Sequence, residues 1–192
     1  IYAPKVEENK TDLAYLQKVI DIMRMMKCTE SEAYFQASFY SYQIQPTAEA
    51  AAGVAAMSFK KGDYDATVKF FDEAIDLEDD NMKKADLAYR AATVLAHVKK
   101  ISQARNYAQK AIGFNPNNGQ PYILIATLYA STPNWSDESA LNKCTYFLVI
   151  DKLNRAKAVD SSEEVVNEAN RLIRTYSQYT PSPSDLFMLG YI

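Results

Sequence analysis

A chain of 192 residues with 48% hydrophobic and 23% charged residues has the composition of a folded globular protein, not of a disordered one. A formal net charge of −3 argues against the strongly basic surface that nucleic acid or an anionic membrane selects. Five glycines and seven prolines are too few turn-makers for a sandwich or barrel of short strands, and no run nears the roughly 18 to 20 apolar residues of a membrane-spanning helix.

The chain opens Ile1-Tyr2-Ala3-Pro4 without an initiator Met and carries no visible signal peptide. It closes on the apolar run Leu186-Phe187-Met188-Leu189-Gly190-Tyr191-Ile192. Both ends predict a piece clipped from a longer chain, from which an export signal could have been removed. The first predicted helix carries Leu13, Leu16, Ile20 and Met23 and ends near Cys28. The next spans 31–42, with Phe35, Phe39 and Tyr42 on its inner face, and Pro46 stops it. Residues 11–46 are thus a degenerate helical pair.

Beyond it the sequence repeats itself. The stretch from Lys61 through Phe71, Ala74, Ile75 and Leu77 aligns with that from Lys99 through Ala108, Ala111, Ile112 and Phe114. A third copy ends Leu153-Asn154-Arg155-Ala156-Lys157-Ala158-Val159-Asp160. Each copy follows another predicted helix, over 48–60, 85–98 and 119–131. Those helices carry residues three and four apart: Ala51 and Ala55, then Ala88, Ala91 and Ala92, then Tyr122, Ile125, Ala126 and Tyr129. Small residues at that spacing form a stripe where two helices approach closely. The repeating unit is helix, short turn, helix, over 48–81, 85–118 and 119–160. Ala48 and Ala85 lie 37 residues apart and Ala85 and Gly119 lie 34 apart, with the excess expected around Met82-Lys83-Lys84. Thr132 through Glu138 lengthen the third unit. A final helix over 162–179 has an apolar stripe of Val165, Ala169, Leu172, Ile173 and Tyr176. Ser161 or Ser162 is its expected N-cap, and its polar outer face of Asn167, Glu168, Arg171, Arg174 and Gln178 suits a terminal capping helix. Thr180-Pro181-Ser182-Pro183 is expected to break the helical run.

These residues resemble the tetratricopeptide repeat (TPR) family, whose pattern runs W-x2-L-G-x2-Y, then A-x3-F, then A and P at a period of about 34 residues. The second unit matches through Ala104, Ala108, Ala111 and Pro116. The first matches at Phe71 and Ala74 and departs at Thr67 and Asp79; the third matches at Tyr129 and Ala156 and departs at Val149 and Ser161. The resemblance implies an all-α fold, an α-α superhelical solenoid of TPR hairpins over 1–192 with a C-terminal capping helix. The runs Lys27-Cys28-Thr29-Glu30-Ser31, Gln45-Pro46-Thr47-Ala48-Glu49-Ala50-Ala51 and Ile173-Arg174-Thr175-Tyr176-Ser177-Gln178-Tyr179 make the whole chain similar to an uncharacterised, exported TPR family of Gram-negative gut anaerobes. That likeness implies a periplasmic or envelope-associated location and a chain that continues past residue 192.

The sequence suggests no catalytic residue, metal ligand or cofactor. His97 is the one histidine and has no nucleophile or acid motif around it. Cys28 and Cys144 sit at no metal or redox spacing and, several helices apart in a solenoid, are not expected to pair. The glycines form no phosphate loop, and Gly62 is expected in a helix-to-helix turn. Glu78-Asp79-Asp80 is expected to be a solvated turn, since a calcium loop needs oxygen ligands spread across about 12 residues. A binding surface remains. In TPR solenoids the first helix of each hairpin lines the concave face. Tyr89, Thr93 and His97 are spaced four apart and share a face, with Ala52, Ala56 and Lys60 before them and Ile123, Thr127 and Ser131 after. The expected partner-binding residues are Phe59, Tyr89, Thr93, His97, Ile123 and Thr127. His97 would lend pH sensitivity wherever it touches the partner. A protein or peptide partner follows from such a mixed lining. Ala52, Gly53 and Ala56 occupy the slots where chaperone-tail clamps carry Lys and Asn, so that ligand is not expected. Two other readings are a TPR portion of a larger enzyme and a glycan-uptake protein of the outer membrane.

Overall fold

A computed structural model describes residues 3–190, and among them the chain is all-α. Eleven helices follow in order: α1 (Ala3–Glu8), α2 (Leu13–Met25), α3 (Glu32–Ile44), α4 (Ala48–Lys60), α5 (Tyr64–Leu77), α6 (Asn81–His97), α7 (Ile101–Phe114), α8 (Gln120–Ser131), α9 (Ser139–Val159), α10 (Glu163–Ser177) and α11 (Pro183–Met188). Helices pack on their neighbours in chain order, the packing pattern of an α-solenoid. None is long and apolar enough to cross a membrane. The residues fall into two compact units, one running to Leu95 and one starting at Ala96.

In the first unit the helix starts follow from local chemistry. Asp12, Ser31, Thr47 and Asp63 each accept a hydrogen bond from the backbone N–H three residues on, supplying a partner to a donor the helix cannot satisfy itself. Asp80 does the same for α6, accepting from the N–H groups of Met82 and Lys83 at 2.7 and 3.1 Å. The acidic run is thus an exposed turn whose last residue caps a helix, and α6 starts four residues ahead of the expected Ala85. Met82-Lys83-Lys84 form its first turn instead of a spacer. Gly62 sits at φ +78 in the α4–α5 turn, a conformation open to a residue without Cβ.

The core of this unit is set by small residues. Ala50, Ala51 and Ala55 of α4 are fully buried, and α3 meets α4 through Ser38, itself fully buried. A Cβ added at Gly53 would lie 2.0 Å from Ser38 Oγ and 2.3 Å from Ser38 Cβ. Only glycine fits at this crossing. The same contact corrects the expected inner face of α3. Phe35 faces inward as expected, together with Tyr34, Ala37, Ser38 and Ser41, while Phe39 is 36% exposed and Tyr42 half-buried. The small side chains admit α4, and a phenylalanine in that row would hold it away. α1, which the sequence reading did not contain, buries Val6 against this core.

The second unit centres on α9, which packs against α8, α10 and α11. Val149, Leu153 and Ala156 of α9 are fully buried with Ala126 of α8 and Ala169 of α10. Ala92 in the first unit and Ala111 in the second are also buried, as their place on the small-residue stripes requires. α10 buries Val165, Ala169 and Leu172 and exposes Asn167, Arg171, Arg174 and Gln178. Ser162 stands at its N-cap position but makes no side-chain capping bond. The Thr180–Pro183 break is short. Ser182 and Asp185 close a capping box that starts α11, and Lys143 of α9 holds Asp185 at 2.9 Å. Leu186, Phe187 and Met188 lie in that helix; Tyr191 and Ile192 of the apolar close lie outside the described residues.

Candidate functional site

The first unit carries a groove of about 520 Å³ between α4 and α6. α4 contributes Ala56, Phe59 and Lys60, spaced three and four apart and so on one face. α6 contributes Tyr89, Arg90, Thr93 and Val94 in two adjacent rows. Phe35 of α3 and Phe71 of α5 form the floor and are nearly closed off, at 4% and 2% exposure. Phe59 and Tyr89 are half-buried, so part of each ring lines the open groove. The Phe59 ring is fixed against Tyr64 at 6.0 Å between centroids.

Two cations stand over the floor. Lys60 Nζ lies 5.1 Å from the centroid of Phe35 and donates to the backbone carbonyl of Glu30 at 3.3 Å. The Arg90 guanidinium lies 5.9 Å from the centroid of Phe71, with Asp86 at 4.0 Å. Each cation is placed by a ring face as much as by a charge. Thr93 donates its hydroxyl to the carbonyl of Tyr89 at 3.0 Å, which satisfies its hydrogen within its own helix.

Arg90 also lines a second, smaller cavity of about 250 Å³ on the same unit, with Arg24, Glu49, Glu78, Lys83 and Asp86. There the charges balance: Arg24 faces Glu49 and Lys83 faces Glu78, each at 3.7 Å.

In the second unit a groove of about 610 Å³ takes His97, Lys99, Leu124, Thr127, Leu128 and Ser131. Its hydroxyls are turned inward: Thr127 donates to the carbonyl of Leu124 at 2.8 Å and Ser131 to that of Leu128 at 2.7 Å. Ile123 lines neither groove; it is 7% exposed in the α8–α9–α10 core. Of the six residues expected to touch a partner, Phe59, Tyr89 and Thr93 therefore share the first unit's groove, His97 and Thr127 share the second unit's, and Ile123 holds the core. Ile123 follows Tyr122, and its row is where α8 meets α9, so spacing along one helix could not separate core from lining.

Sequence reasoning missed Phe35, Phe71 and Arg90. The two phenylalanines belong to the apolar stripes of their own helices and read as core. Arg90 carried one signal, its position four residues after Asp86. The 132–138 insertion is also more ordered than its composition suggests. Asn142 accepts from the N–H groups of Trp135 and Ser136 and donates to the Ser136 carbonyl, while the Trp135 indole N–H donates to Thr145 at 2.9 Å. Both cysteines are free thiols. Among the described residues no group of three or more His, Cys, Asp or Glu could hold a metal ion. No protein-family model matches this chain, and no curated protein is significantly similar to it.

Proposed function

We propose that this chain is a TPR-type scaffold that binds a peptide segment of a protein partner in the α4–α6 groove of its first unit, without catalysing a reaction. The observation that carries the reading is the groove itself. Two half-buried rings, Phe59 and Tyr89, stand over a floor of buried rings, on helices held rigidly by close packing. Aromatic side chains fixed in this way lose little entropy on binding and supply large contact area, the usual character of binding hot spots. The hairpin spacing supports a repeat of helix pairs, and the TPR reading rests on the sequence resemblance. The second helices α5, α7 and α9 begin 37 and 38 residues apart, at Tyr64, Ile101 and Ser139, and the first helices α4, α6 and α8 begin 33 and 39 apart. The likeness to an exported family directs the search for the partner to the cell envelope.

The experiment is capture of a partner from envelope extract on the full chain, followed by affinity measurement on variants. Phe59→Ala and Tyr89→Ala should each weaken binding by about tenfold or more, the effect of a hot-spot residue. Lys110→Ala, an exposed position on α7, should leave it unchanged. Equal loss in all three variants, or loss only at Lys110, overturns the assignment of this groove.

A further inference from the structure

We propose that the smaller cavity of the first unit binds a free apolar α-amino acid as its zwitterion: Arg24 takes the carboxylate, Glu49 takes the ammonium, and the Tyr34 hydroxyl hydrogen-bonds the ligand from the cavity wall. This site is independent of the peptide-binding reading.

The cavity measures about 250 Å³. That is below the roughly 300 to 1,000 Å³ of pockets for drug-sized ligands, so it suits a small molecule. Arg24 and Glu49 face each other at 3.7 Å, too far for a hydrogen bond between them. Among the described residues, neither the Arg24 guanidinium nor the Glu49 carboxylate has a hydrogen-bond partner, so the donors of one and the acceptors of the other are unused within the protein. Tyr34 is 1% exposed, and its hydroxyl also lacks a partner. Unlike the unpartnered side-chain oxygens of Gln36, Ser38 and Ser41, that hydroxyl is not sealed off. It opens on this cavity, which Tyr34 lines. A buried polar group left in that state gains by meeting a ligand. The charges then choose the ligand. Arg24 faces Glu49, Lys83 faces Glu78 and Arg90 faces Asp86, three cations against three carboxylates. A simple anion would meet the carboxylates as closely as the arginines, and a simple cation the reverse. A molecule carrying both charges serves both members of the Arg24–Glu49 pair at once. Ala48, Ala52 and Leu87 line the same cavity and give its side chain an apolar wall.

The test titrates L-leucine and L-valine into the isotope-labelled full chain at neutral pH and follows amide chemical shifts. N-acetyl-L-leucine, which lacks the ammonium, and L-leucinamide, which lacks the carboxylate, are titrated beside them. The free amino acids should give saturable shifts, and each blocked form should bind about tenfold more weakly, the size of a lost hydrogen bond to a charged group. Arg24→Gln should erase the preference for leucine over leucinamide, and Glu49→Gln the preference over N-acetyl-leucine. Tyr34→Phe should weaken leucine about threefold and leave thermal stability unchanged, because it removes no hydrogen bond within the protein. Blocked forms that bind as tightly as leucine overturn the zwitterion, as does a preference that survives both charge variants. Unchanged leucine binding in Tyr34→Phe, with a fall in stability, overturns the role of that hydroxyl. No saturable shift from either amino acid at millimolar concentration overturns the site.

Discussion

Helices α2 to α5 of the first unit and α7 to α10 of the second start by different means. In the first, the cap precedes its helix by one residue: Asp12, Ser31, Thr47 and Asp63 each serve the helix that follows them. In the second, the N-cap positions of α7, α8, α9 and α10 are Lys100, Gly119, Glu138 and Ser162, and none makes a side-chain capping bond. At α8 the acceptors are Asn118, two residues before Gln120, and the distant Asp160. Asp160 accepts from Gly119 N–H across 41 residues and from Ser162 N–H, so one carboxylate serves the starts of both α8 and α10. The Gly119 bond, followed by those from Ser162, holds the Asp160 carboxyl below its ordinary value. Helices α2 to α5 of the first unit thus each carry their own start signal. In the second, α11 does the same through Ser182 and Asp185, while the start of α8 also draws on Asp160, which reaches Gly119 only once the helices are packed.

The grooves differ in the same sense. The first is lined by the rings of Phe35, Phe59, Phe71 and Tyr89, while the second has no Phe, Tyr or Trp and is lined by aliphatic side chains, His97, Lys99 and hydroxyls given to their own helix. That difference is why the binding proposal rests on the first unit.

The largest effect expected from breaking this comparison is at the α3–α4 crossing. Gly53→Ala should destabilise the protein by about 3 kcal/mol, because its Cβ meets both side-chain atoms of Ser38 and only a backbone shift can relieve it. Urea unfolding followed by circular dichroism measures this. Gly113→Ala on α7, where nothing lies within 4 Å of the new Cβ, is the control and should be neutral or slightly stabilising.

Next comes the contrast in capping. Asp160→Ala should cost about 2 kcal/mol, since it strips two helix starts, and Asp63→Ala about 1 kcal/mol, since it strips one. The same unfolding measurement applies. Equal costs would mean that Asp160 is no more than an ordinary cap.

The smallest effect is at α11. Lys143, with the Ser182 cap, pulls the Asp185 carboxyl down to about 2. A folded value below the ordinary 3.8 means the tether is complete above pH 3.8 and is lost as pH falls toward 2. Protection from hydrogen exchange along 183–188, taken relative to the intrinsic rate at each pH, should therefore fall over that window and stay constant above it. Lys143→Met should give the fast exchange already at neutral pH.

How much was legible follows from how far each signal reaches. The α4 boundaries, Ala48 to Lys60, match the sequence reading because Thr47 and the turn at Gly62 bracket the helix locally. The burial of Ala92 and Ala111 followed from three- and four-residue spacing. The start of α6 was misplaced because Asp80 was read by its charge and not as the acceptor for the N–H groups of Met82 and Lys83. Short α1 and α11 were missed because a helix of six residues shows too little periodicity to register.

The sequence alone determined the helical class, the hairpin order and the stripes of small residues, because helix formation depends on propensity, capping and period within one or two turns. It placed Tyr89 and Thr93 on one face of their helix for the same reason. Only the tertiary structure decided that Ile123 belongs to the core, that Phe35 and Phe71 floor a groove, and that Lys60 and Arg90 stand over them. It also decided that Asp160 caps two helices. Each of these is a contact between segments far apart in the chain, and it exists only when close packing, tight enough at Gly53 to exclude a methyl group, brings those segments together.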